Sequence, residues 1–554
     1  MERRTVLTAA AVALTAAAAS ACSGGGHDRP GGTGGTGAGG DKGGPPGGTG
    51  QATGSTGKPP ADAPDWAALA EGLDGDLVRP QDTAYPTARQ LYNTRFDSLK
   101  PAAVAYAAGE DDIKECLAFA RAHGTPVSIR SGGHSYAGWS SGNGRLVIDI
   151  SKLDSLDRAA TDGIVGAGAL LGDVYRTLAE QGLTIPAGSC PTVGVSGLTL
   201  GGGHGVAARA YGLTCDSLTS ATLITADGQR LTADAEQNTD LFWALRGAGN
   251  GNFGVVTELR FRTHPAPASI SAYLSWPWSK AGTLLAAWQR WGPDQPDEIW
   301  SSLHLSAGPG GAAPTVSLSA FSLGDEDDLK NALDRLADGP GGPGPASSVS
   351  LRQRGYGDAM LVYGGCSGLD EEQCHLPGTT PGRSAQGALQ RETYAAASDF
   401  YDRSLSPAAV RALVSAAEAF TRLPPDGSGN GGGSGSGGSG GSSGSGGSLA
   451  LTALGGAVNR VDPLATSFVH RRSRILAQYI AAWQPGTSGS AQRAWLKTTH
   501  ASLRRYASGA AYQNYTDPTL TNWRTAYYGP AADRLTRLKK QYDPDRLLDF
   551  PQAL

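Results

Sequence analysis

The chain has few of the residues that build metal centres. Its 554 residues include six cysteines and nine histidines. Neither an H-E-x-x-H sequence nor a paired C-x-x-C occurs among them, and these spacings are the ones that place two ligands on one zinc ion. The sequence therefore gives no support for a metal site, and we predict none.

Charge of one sign and long apolar runs are scarce as well. The 46 basic and 50 acidic residues give a net charge of −4, and the basic residues are dispersed along the chain. Nucleic-acid binding needs a clustered basic surface, so we expect no nucleic-acid partner. The apolar run near the N-terminus is too short to favour a permanent membrane span.

Two short motifs resemble functional sites but lack the required context. The segment Gly249–Gly254 has the spacing G-x-G-x-x-G, yet it follows a helix-like segment, Leu241–Arg246, where a dinucleotide-binding motif follows a strand. The glycine-serine repeats near residue 435 imitate a nucleophile elbow, but no strand precedes them. A Rossmann nicotinamide site and a serine hydrolase are both disfavoured.

The N-terminus has the pattern of an export signal over residues 1–21. Arg3 and Arg4 precede an alanine-rich apolar run, which favours the twin-arginine route. The run ends in Ala19-Ser20-Ala21-Cys22, the pattern at which bacterial lipoproteins are cut and acylated. Ala19 replaces the usual leucine, so plain secretion stays open beside a lipid on Cys22. Either route predicts an extracytoplasmic protein, secreted or held at the cell membrane.

Composition divides the remainder of the chain. Residues 22–62 are rich in Gly, Pro and Thr, which predicts a disordered tether reaching on the order of 35 Å. We expect one domain over residues 63–265 and a second over 266–497, with a disordered Gly/Ser insertion at 426–448. Residues 498–554 are expected to return to the first domain.

The periodicity of the two domains predicts an α+β fold. In the first domain we expect helices and strands to alternate, the helices at Asp111–His123 and Asp173–Gln181 and the strands at Pro126–Arg130, Arg145–Ile150 and Gly163–Ala167. In the second we expect strands at Ser269–Leu274 and Thr315–Ser322 and a helix at Asp328–Ala337.

The cysteines outside the N-terminus have different expected roles. Cys366 and Cys374 bracket a short acidic loop, and in an exported chain this spacing favours a disulfide over two free thiols. Cys116 falls on the apolar side of its helix and Cys215 follows an apolar segment, so both are expected to be buried and inert.

Two glycine-rich segments carry nucleophilic side chains. His134 lies in Arg130–Gly138, and Cys190 begins Cys190–Gly197, 56 residues later. Glycine lets the main chain approach a bulky ligand and turn its N–H groups toward phosphate. Each segment alone is equally compatible with an ordinary loop.

Taken together and in this order, the two segments resemble the berberine bridge enzyme-like flavoproteins, which include the oligosaccharide oxidases and belong to the vanillyl-alcohol oxidase superfamily. Further similar segments run through most of the chain, at residues 221–228, 251–257, 512–515, 527–529 and 542–544. The resemblance implies a two-part FAD-binding domain of the p-cresol methylhydroxylase type. It also implies a substrate domain with an antiparallel sheet covered by helices.

The resemblance further implies FAD attached twice, through His134 to the flavin 8α-methyl group and through Cys190 to ring carbon C6. The small Val193 is associated in this family with an open oxygen pocket. His204 is expected near the cofactor as a loop residue and not as a third attachment point. The other expected cofactor-binding residues are Arg130, Ser131, Gly132, Gly133, Ser135, Gly138, Gly194, Gly197, Gly202, Gly203, Gly254, Val255, Val256 and Asn514.

Three tyrosines are the expected catalytic residues. In the family motif matched by residues 512–515, a tyrosine stands over the flavin and takes the substrate hydroxyl proton. By this resemblance Tyr512 is the first candidate for the base, Tyr515 the second, and Tyr136 positions the substrate. Judged without the family, each would be a packing aromatic.

The resulting expectation is an exported FAD-linked oxidase acting on a hydroxyl of a sugar, an oligosaccharide or a glycosylated metabolite. Hydride would pass to the flavin, and O₂ would be reduced to H₂O₂. Two alternatives stay open: a flavoprotein dehydrogenase with another electron acceptor, and a non-catalytic envelope lipoprotein that binds a ligand.

Overall fold

The structure is a computed structural model that describes residues 64–157, 162–425 and 445–554. The expected export signal, Cys22 and the tether to residue 62 lie outside the described residues. Within the described ranges, no helix combines the length and apolar character needed to cross a membrane.

The first part of the chain forms two main sheets and a small strand pair. Its strands are β1 Asp76–Val78, β2 Ala103–Tyr106, β3 Val127–Arg130, β4 Leu146–Asp149, β5 Leu156–Asp157, β6 Asp162–Gly166, β7 Leu183–Thr184, β8 Leu218–Ile224, β9 Arg230–Asp234, β10 Val255–Arg262 and β11 His264–Pro265. One sheet has the order β1-β2-β4-β3, with β4 parallel to both neighbours. The other is antiparallel with the order β5-β6-β10-β8-β9, and β7 pairs with β11.

The second part is built on one antiparallel sheet of seven strands. They are β12 Ser269–Trp276, β13 Ile299–Ala307, β14 Thr315–Ser322, β15 Ser348–Arg354, β16 Tyr394–Tyr401, β17 Gly446–Ala453 and β18 Ile475–Ala482. Their order is β15-β12-β14-β13-β17-β18-β16. Since successive residues of a strand point to opposite faces, this sheet presents one face to a helical layer and the other to the first part.

The helices of the described residues vary from one turn to four. They are α1 Trp66–Gly72, α2 Tyr85–Ala88, α3 Glu110–His123, α4 Leu171–Ala179, α5 Val195–Leu200, α6 Ala208–Tyr211, α7 Thr214–Ser217, α8 Thr239–Leu245, α9 Ala281–Trp291, α10 Glu326–Asp338, α11 Tyr356–Tyr363, α12 Pro407–Thr421, α13 Ala457–Arg460, α14 Ser490–Arg504, α15 Trp523–Tyr528 and α16 Ala532–Tyr542. Short 3₁₀ turns occur at Thr94–Phe96, Trp278–Lys280, Gly292–Asp294, Gln513–Tyr515 and Gly529–Ala531.

The predicted α+β class and the antiparallel second sheet are confirmed. The predicted helix at Asp111–His123 is α3, which begins one residue earlier and ends at Gly124 in the left-handed conformation. The segment Leu241–Arg246 is helical as expected, since α8 covers Thr239–Leu245. The glycine motif that follows it therefore follows a helix.

One predicted boundary is wrong and another divides a helix. The expected disordered insertion at 426–448 overlaps β17, whose Gly446 and Gly447 pair with β18. Packing requires glycine at position 447, because a Cβ there would come within 2.3 Å of the Phe420 ring. The start of this strand is therefore glycine-rich, and its composition did not distinguish it from the insertion. The boundary proposed between residues 497 and 498 falls inside α14, which packs on the seven-stranded sheet through Trp495 and Leu503.

The cysteines of the described residues behave as two classes. Cys366 and Cys374 form a disulfide with Cα atoms 5.5 Å apart. Cys116 and Cys215 are buried and free, and burial raises the pKa of the Cys116 thiol to about 12. Both free thiols are therefore protonated packing groups at neutral pH.

The C-terminal helix is fixed to the first domain through a buried ammonium group. Lys539 Nζ donates to Asp543 Oδ2 at 2.6 Å and to the carbonyls of Asn252 and Leu548 at 2.8 and 2.7 Å. Asn252 Oδ1 in turn accepts the N–H of Leu554 at 3.1 Å. This network joins two distant segments, the one that contains Asn252 and the C-terminal one that contains Asp543.

We expect Asp543→Asn to destabilise the protein by about 3 kcal/mol, because removing one partner leaves the other charge buried and unpaired. Asp545→Asn is the control, since Asp545 is exposed. Chemical denaturation followed by tryptophan fluorescence measures both variants. Equal midpoints for the two variants would show that the buried pair contributes nothing.

A second buried ionic cluster fixes the segment that carries Tyr512. His500 lies between two carboxylates, with Nε2 at 3.5 Å from Asp399 Oδ2 and Nδ1 at 3.6 Å from Asp517 Oδ2. Arg504 Nη1 also donates to Asp399, at 2.8 Å. Burial lowers the His500 pKa, but the carboxylates outweigh it and raise the value from 6.5 to about 9.

This shift predicts a pH-dependent contribution to stability. A pKa raised on folding stabilises the protein fully below pH 6.5 and ceases to do so as the pH rises through about 9. We expect the difference in unfolding temperature between wild type and His500→Gln to be largest near pH 6.5 and to shrink above about pH 9. His264→Gln is the control, because His264 has a pKa of about 4 and stays neutral across this range. A difference that does not change with pH would contradict the ionic role of His500.

Candidate functional site

A cavity of about 420 Å³ lies between the glycine-rich segments of the first domain and one face of the seven-stranded sheet. The segment between α14 and α15 and the C-terminal residues close it. His134, Cys190, Tyr136, Tyr512 and Tyr515 all line this cavity. The structure thus brings together the nucleophiles and tyrosines that the sequence places more than 300 residues apart.

The His134 side chain is held in a fixed orientation on the cavity wall. Its Nε2 lies 2.9 Å from Thr192 Oγ1, and the Tyr92 ring stacks on the imidazole with centroids 4.0 Å apart. Burial lowers the pKa of His134 to about 3. The imidazole is therefore neutral at physiological pH and keeps a nucleophilic nitrogen.

The two glycine-rich segments cross in direct backbone contact. A Cβ on Gly132 would meet Gly194 N at 2.3 Å, and a Cβ on Gly194 would meet Ser131 Oγ at 2.0 Å. Gly194 directly precedes α5, and the first N–H group of that helix, that of Val195, donates to Ala169 O at 2.9 Å. Glycine is thus required at both positions.

Cys190 lies on the same wall, beside the apolar cluster that contains the Cys366–Cys374 disulfide and Tyr394. A cysteine forms a thioether through its thiolate, so Cys190 on this wall is a candidate nucleophile.

Tyr515 is paired with a histidine. Its phenol oxygen lies 2.8 Å from His204 Nε2, and its ring stacks on Tyr136 with centroids 5.2 Å apart. Burial lowers the pKa of His204 to about 4, so the ring is neutral, and its buried Nδ1 has no partner. A neutral imidazole with one partner-free nitrogen can accept the phenol proton at Nε2.

Tyr512 has a different environment. Its oxygen accepts hydrogen bonds from Gly203 N at 2.8 Å and from Asn514 Nδ2 at 2.9 Å. Its ring packs among Phe400 and Phe468, and burial raises its pKa. With both acceptor positions of the oxygen occupied, Tyr512 is suited to fixing the loop that carries Tyr515.

Tyr136 is oriented from the second domain. Gln478 Nε2 donates to its oxygen at 2.7 Å, and its ring meets Tyr394 edge to face with centroids 5.2 Å apart. Four further residues that line the cavity were not predicted from the sequence: Gln478, Tyr394, Trp300 and His304. The signal was present in β13, where residues 300, 302 and 304 alternate with the apolar Ile299, Leu303 and Leu305.

Most of the expected cofactor residues are brought to one wall. Those that line the cavity are Ser131, Gly132, Gly133, His134, Ser135, Cys190, Val193, Gly194, Gly197, His204, Gly254, Val256 and Asn514. Five do not: Arg130, Gly138, Gly202, Gly203 and Val255.

Local structure explains why these five lie behind the wall. Arg130 pairs with Asp149 across the parallel strands β3 and β4 and donates to Ala88 O at 2.7 Å. Gly138 and Gly202 turn with positive φ against phenylalanine rings, and Gly203 donates to Tyr512. Val255 alternates with the lining Val256 and therefore points to the opposite face.

The cavity residues fit FAD. The glycine crossing provides a close backbone approach that any Cβ would prevent. Buried polar atoms without protein partners also line the cavity, and a large polar ligand would satisfy them: Ser140 Oγ, His204 Nδ1, Asn250 Oδ1, Gln513 Oε1 and Gln552 Oε1. His134 and Cys190 are the candidates for covalent attachment of the flavin, because both are nucleophiles on this wall.

Known proteins show the same two-part pattern. The model of the FAD binding domain family matches residues 101–234, and that of the berberine and berberine-like family matches residues 511–554. The FAD-linked oxidoreductase YgaK of Bacillus subtilis is 31% identical over 489 residues, covering 87% of this chain and 97% of the relative. The chitooligosaccharide oxidase of Gibberella zeae is 30% identical, covering 84% and 89%.

Solved structures agree with this assignment. Physcomitrella patens BBE-like 1 superposes with a TM-score of 0.75 at 28% identity, covering 88% of this chain and 98% of that one. The xylooligosaccharide oxidase from Myceliophthora thermophila in complex with xylobiose gives 0.73 at 27% identity, covering 88% and 98%. The expected p-cresol methylhydroxylase type of FAD-binding fold is confirmed. The chain therefore belongs to the berberine bridge enzyme-like family of FAD-linked oxidoreductases.

Proposed function

We propose that this protein is an exported oxidase that removes hydride from a hydroxyl-bearing carbon of a sugar, an oligosaccharide or a glycosylated metabolite. The observation that carries the proposal is the pairing of Tyr515 with the neutral His204 in the cavity that His134 also lines. Oxidation of an alcohol requires a group that takes the hydroxyl proton, and this pair supplies one. Two relatives of similar length are oligosaccharide oxidases, which supports a carbohydrate substrate.

FAD is proposed to be held covalently by His134 and Cys190. The neutral imidazole of His134, fixed by Thr192 and Tyr92, is available as a nucleophile, and the thiol of Cys190 on the same wall supplies a second one. FAD held here would supply the hydride acceptor for the substrate carbon, and O₂ would be the final acceptor, reduced to H₂O₂. Val193 lies on the cavity wall, and the association of a small valine there with an open oxygen pocket in this family supports O₂ as the acceptor.

Proton transfer is assigned to Tyr515 and not to the first candidate from sequence, Tyr512. The substrate hydroxyl gives its proton to the Tyr515 oxygen as the phenol proton moves to His204 Nε2, so no free phenolate is needed. Burial holds the pKa of Tyr515 well above its usual value and lowers that of His204 to about 4, so both groups are neutral before the proton moves. Tyr136, held by Gln478, orients the substrate from the other side.

Export through the twin-arginine route is part of the proposal. Its support is the pair Arg3 and Arg4 and the apolar run that follows. A covalently held cofactor cannot be lost outside the cell, so bicovalent attachment suits an exported oxidase. A lipid on Cys22 would add a membrane anchor.

The first prediction concerns attachment. The purified wild type is precipitated with acid, and we expect the yellow colour to remain in the pellet. His134→Ala and Cys190→Ala should each retain it through the other bond, while the double variant should release all flavin to the supernatant. A colourless wild-type pellet would contradict covalent attachment and favour a dissociable flavin or a binding protein without one.

The second prediction concerns the base. Flavin reduction is measured without oxygen, with a sugar that the wild-type protein oxidises. Tyr515→Phe should slow this reduction by about 10²- to 10⁴-fold, the usual contribution of a general base. Tyr512→Phe should have a smaller effect, because its oxygen serves the loop. Tyr401→Phe is the control, since Tyr401 pairs with Tyr479 in the core on the helical side of the sheet. A larger loss in Tyr512→Phe would restore the assignment made from sequence.

Measurements of H₂O₂ release distinguish an oxidase from a dehydrogenase. An oxidase consumes O₂ and releases H₂O₂ with each turnover. A dehydrogenase would show rapid flavin reduction by the same sugar but slow reoxidation in air and fast reoxidation by a quinone.

A further inference from the structure

The wall of the cavity formed by the second domain has a distinctive pattern along β13. Trp300, Ser302 and His304 alternate and line the cavity, whereas Leu303 and Leu305 pack against the helical layer. Because residues two apart point to the same face, three adjacent side chains of one strand are directed at the cavity. These residues have no part in the attachment or proton steps described above.

A row of residues crosses three strands at the level of His304. His304 pairs with Ala450 on β17, and Ala450 pairs with Gln478 on β18. Neighbouring strands lie about 4.8 Å apart, so His304 and Gln478 stand roughly 9.6 Å apart with only the methyl group of Ala450 between them. The row therefore leaves a slot over Ala450, bounded by His304 on one side and Gln478 on the other.

Two buried polar atoms of this wall have no protein partner. They are His304 Nδ1 and Trp300 Nε1, on side chains of residues that are 5% and 8% exposed. Buried donors and acceptors are normally satisfied, so partner-free atoms beside a cavity indicate a ligand that completes them. Burial lowers the pKa of His304 to about 4, so the ring is neutral at physiological pH.

The cavity-lining side chains of the seven-stranded sheet are all uncharged at neutral pH: Trp300, Ser302, His304, Tyr394, Ala450, Thr452 and Gln478. The ionised lining residues, Arg145 and Asp549, belong to the first domain and the C-terminal segment. Ionised groups behind the wall include Glu392 and Arg95, both near Tyr136, and Arg354 near Tyr273, and none of these three lines the cavity. An ionic substituent entering the slot would lose its hydration without gaining a charged partner.

We propose that the slot over Ala450 binds one uncharged sugar ring, with hydrogen bonds from His304 and Trp300, and that it selects neutral sugars against uronic acids and amino sugars. The substrate class rests on the proposed function, and the slot extends it to named specificity residues. Gln478 completes the slot while it holds Tyr136, so the ring bound here lies next to the reacting hydroxyl.

The test measures binding to the flavin-loaded protein and not turnover. Cellobiose is titrated anaerobically while the flavin absorption spectrum is followed. Cellobiuronic acid, which has a carboxylate at C6, and chitobiose, which has free amines, are titrated in the same way. We expect both charged sugars to bind at least about tenfold more weakly than cellobiose. Ala450→Leu, which fills the slot, should weaken cellobiose binding by about tenfold or more. The control Val349→Leu, at an exposed position of β15 that does not line the cavity, should change it by less than about twofold.

His304→Ala provides an independent variant, because it opens the slot instead of filling it. It should also weaken cellobiose binding, by about tenfold for a lost buried hydrogen bond. The flavin content of each variant shows that the fold is intact.

The outcomes separate the slot from the proposed function. Binding of cellobiose that depends on Ala450 and His304 but leads to no flavin reduction would leave the slot standing and overturn the proposed reaction. Oxidation of cellobiose by the wild type, with unchanged binding in Ala450→Leu and His304→Ala, would overturn the slot and leave the proposed reaction standing. Equal binding of the charged sugars, or no cellobiose binding at all, would also overturn the slot.

Discussion

The contact between the two glycine-rich segments is the constraint on which the site depends. Gly132 and Gly194 touch through their backbones, and the His134–Thr192 hydrogen bond joins the same two segments at the cavity. A side chain at either glycine would separate His134 from Cys190 and remove the close backbone approach that a flavin needs. In the first domain, β3 leads into one of the two segments and α5 follows the other, so these two elements position the crossing.

The second domain supplies what the crossing lacks. One face of its sheet is covered by helices, so the opposite face, with Trp300, His304, Gln478 and Tyr394, becomes a polar and uncharged wall. The segment with Tyr512 and Tyr515 then joins the two halves, fixed by Asp399 and His500 on one side and by Gly203 on the other. The residues proposed for attachment, proton transfer and substrate selection thus come from three parts of the chain.

Much of this arrangement is visible in the sequence, because glycine spacing and strand periodicity are local properties. The helix at residue 110, the disulfide and the convergence of His134, Cys190 and the tyrosines on one cavity could be predicted. Sequence did not reveal Gln478 or His304, since a polar residue in a strand gains meaning only from the strands beside it. Arg130 was expected at the cofactor, but cross-strand pairing with Asp149 directs it into the core. The roles of Tyr512 and Tyr515 likewise depend on which partner each oxygen meets, and this is a tertiary property.

The central claim is that these residues assemble an oxidase for a neutral sugar. The most direct measurement mixes the flavin-loaded protein with an oligosaccharide in a stopped-flow instrument, first without oxygen and then with it. The account predicts rapid loss of the oxidised flavin band on mixing, followed by its rapid return when oxygen is admitted, with one H₂O₂ formed for each sugar oxidised. A flavin band that no neutral sugar bleaches would contradict the account.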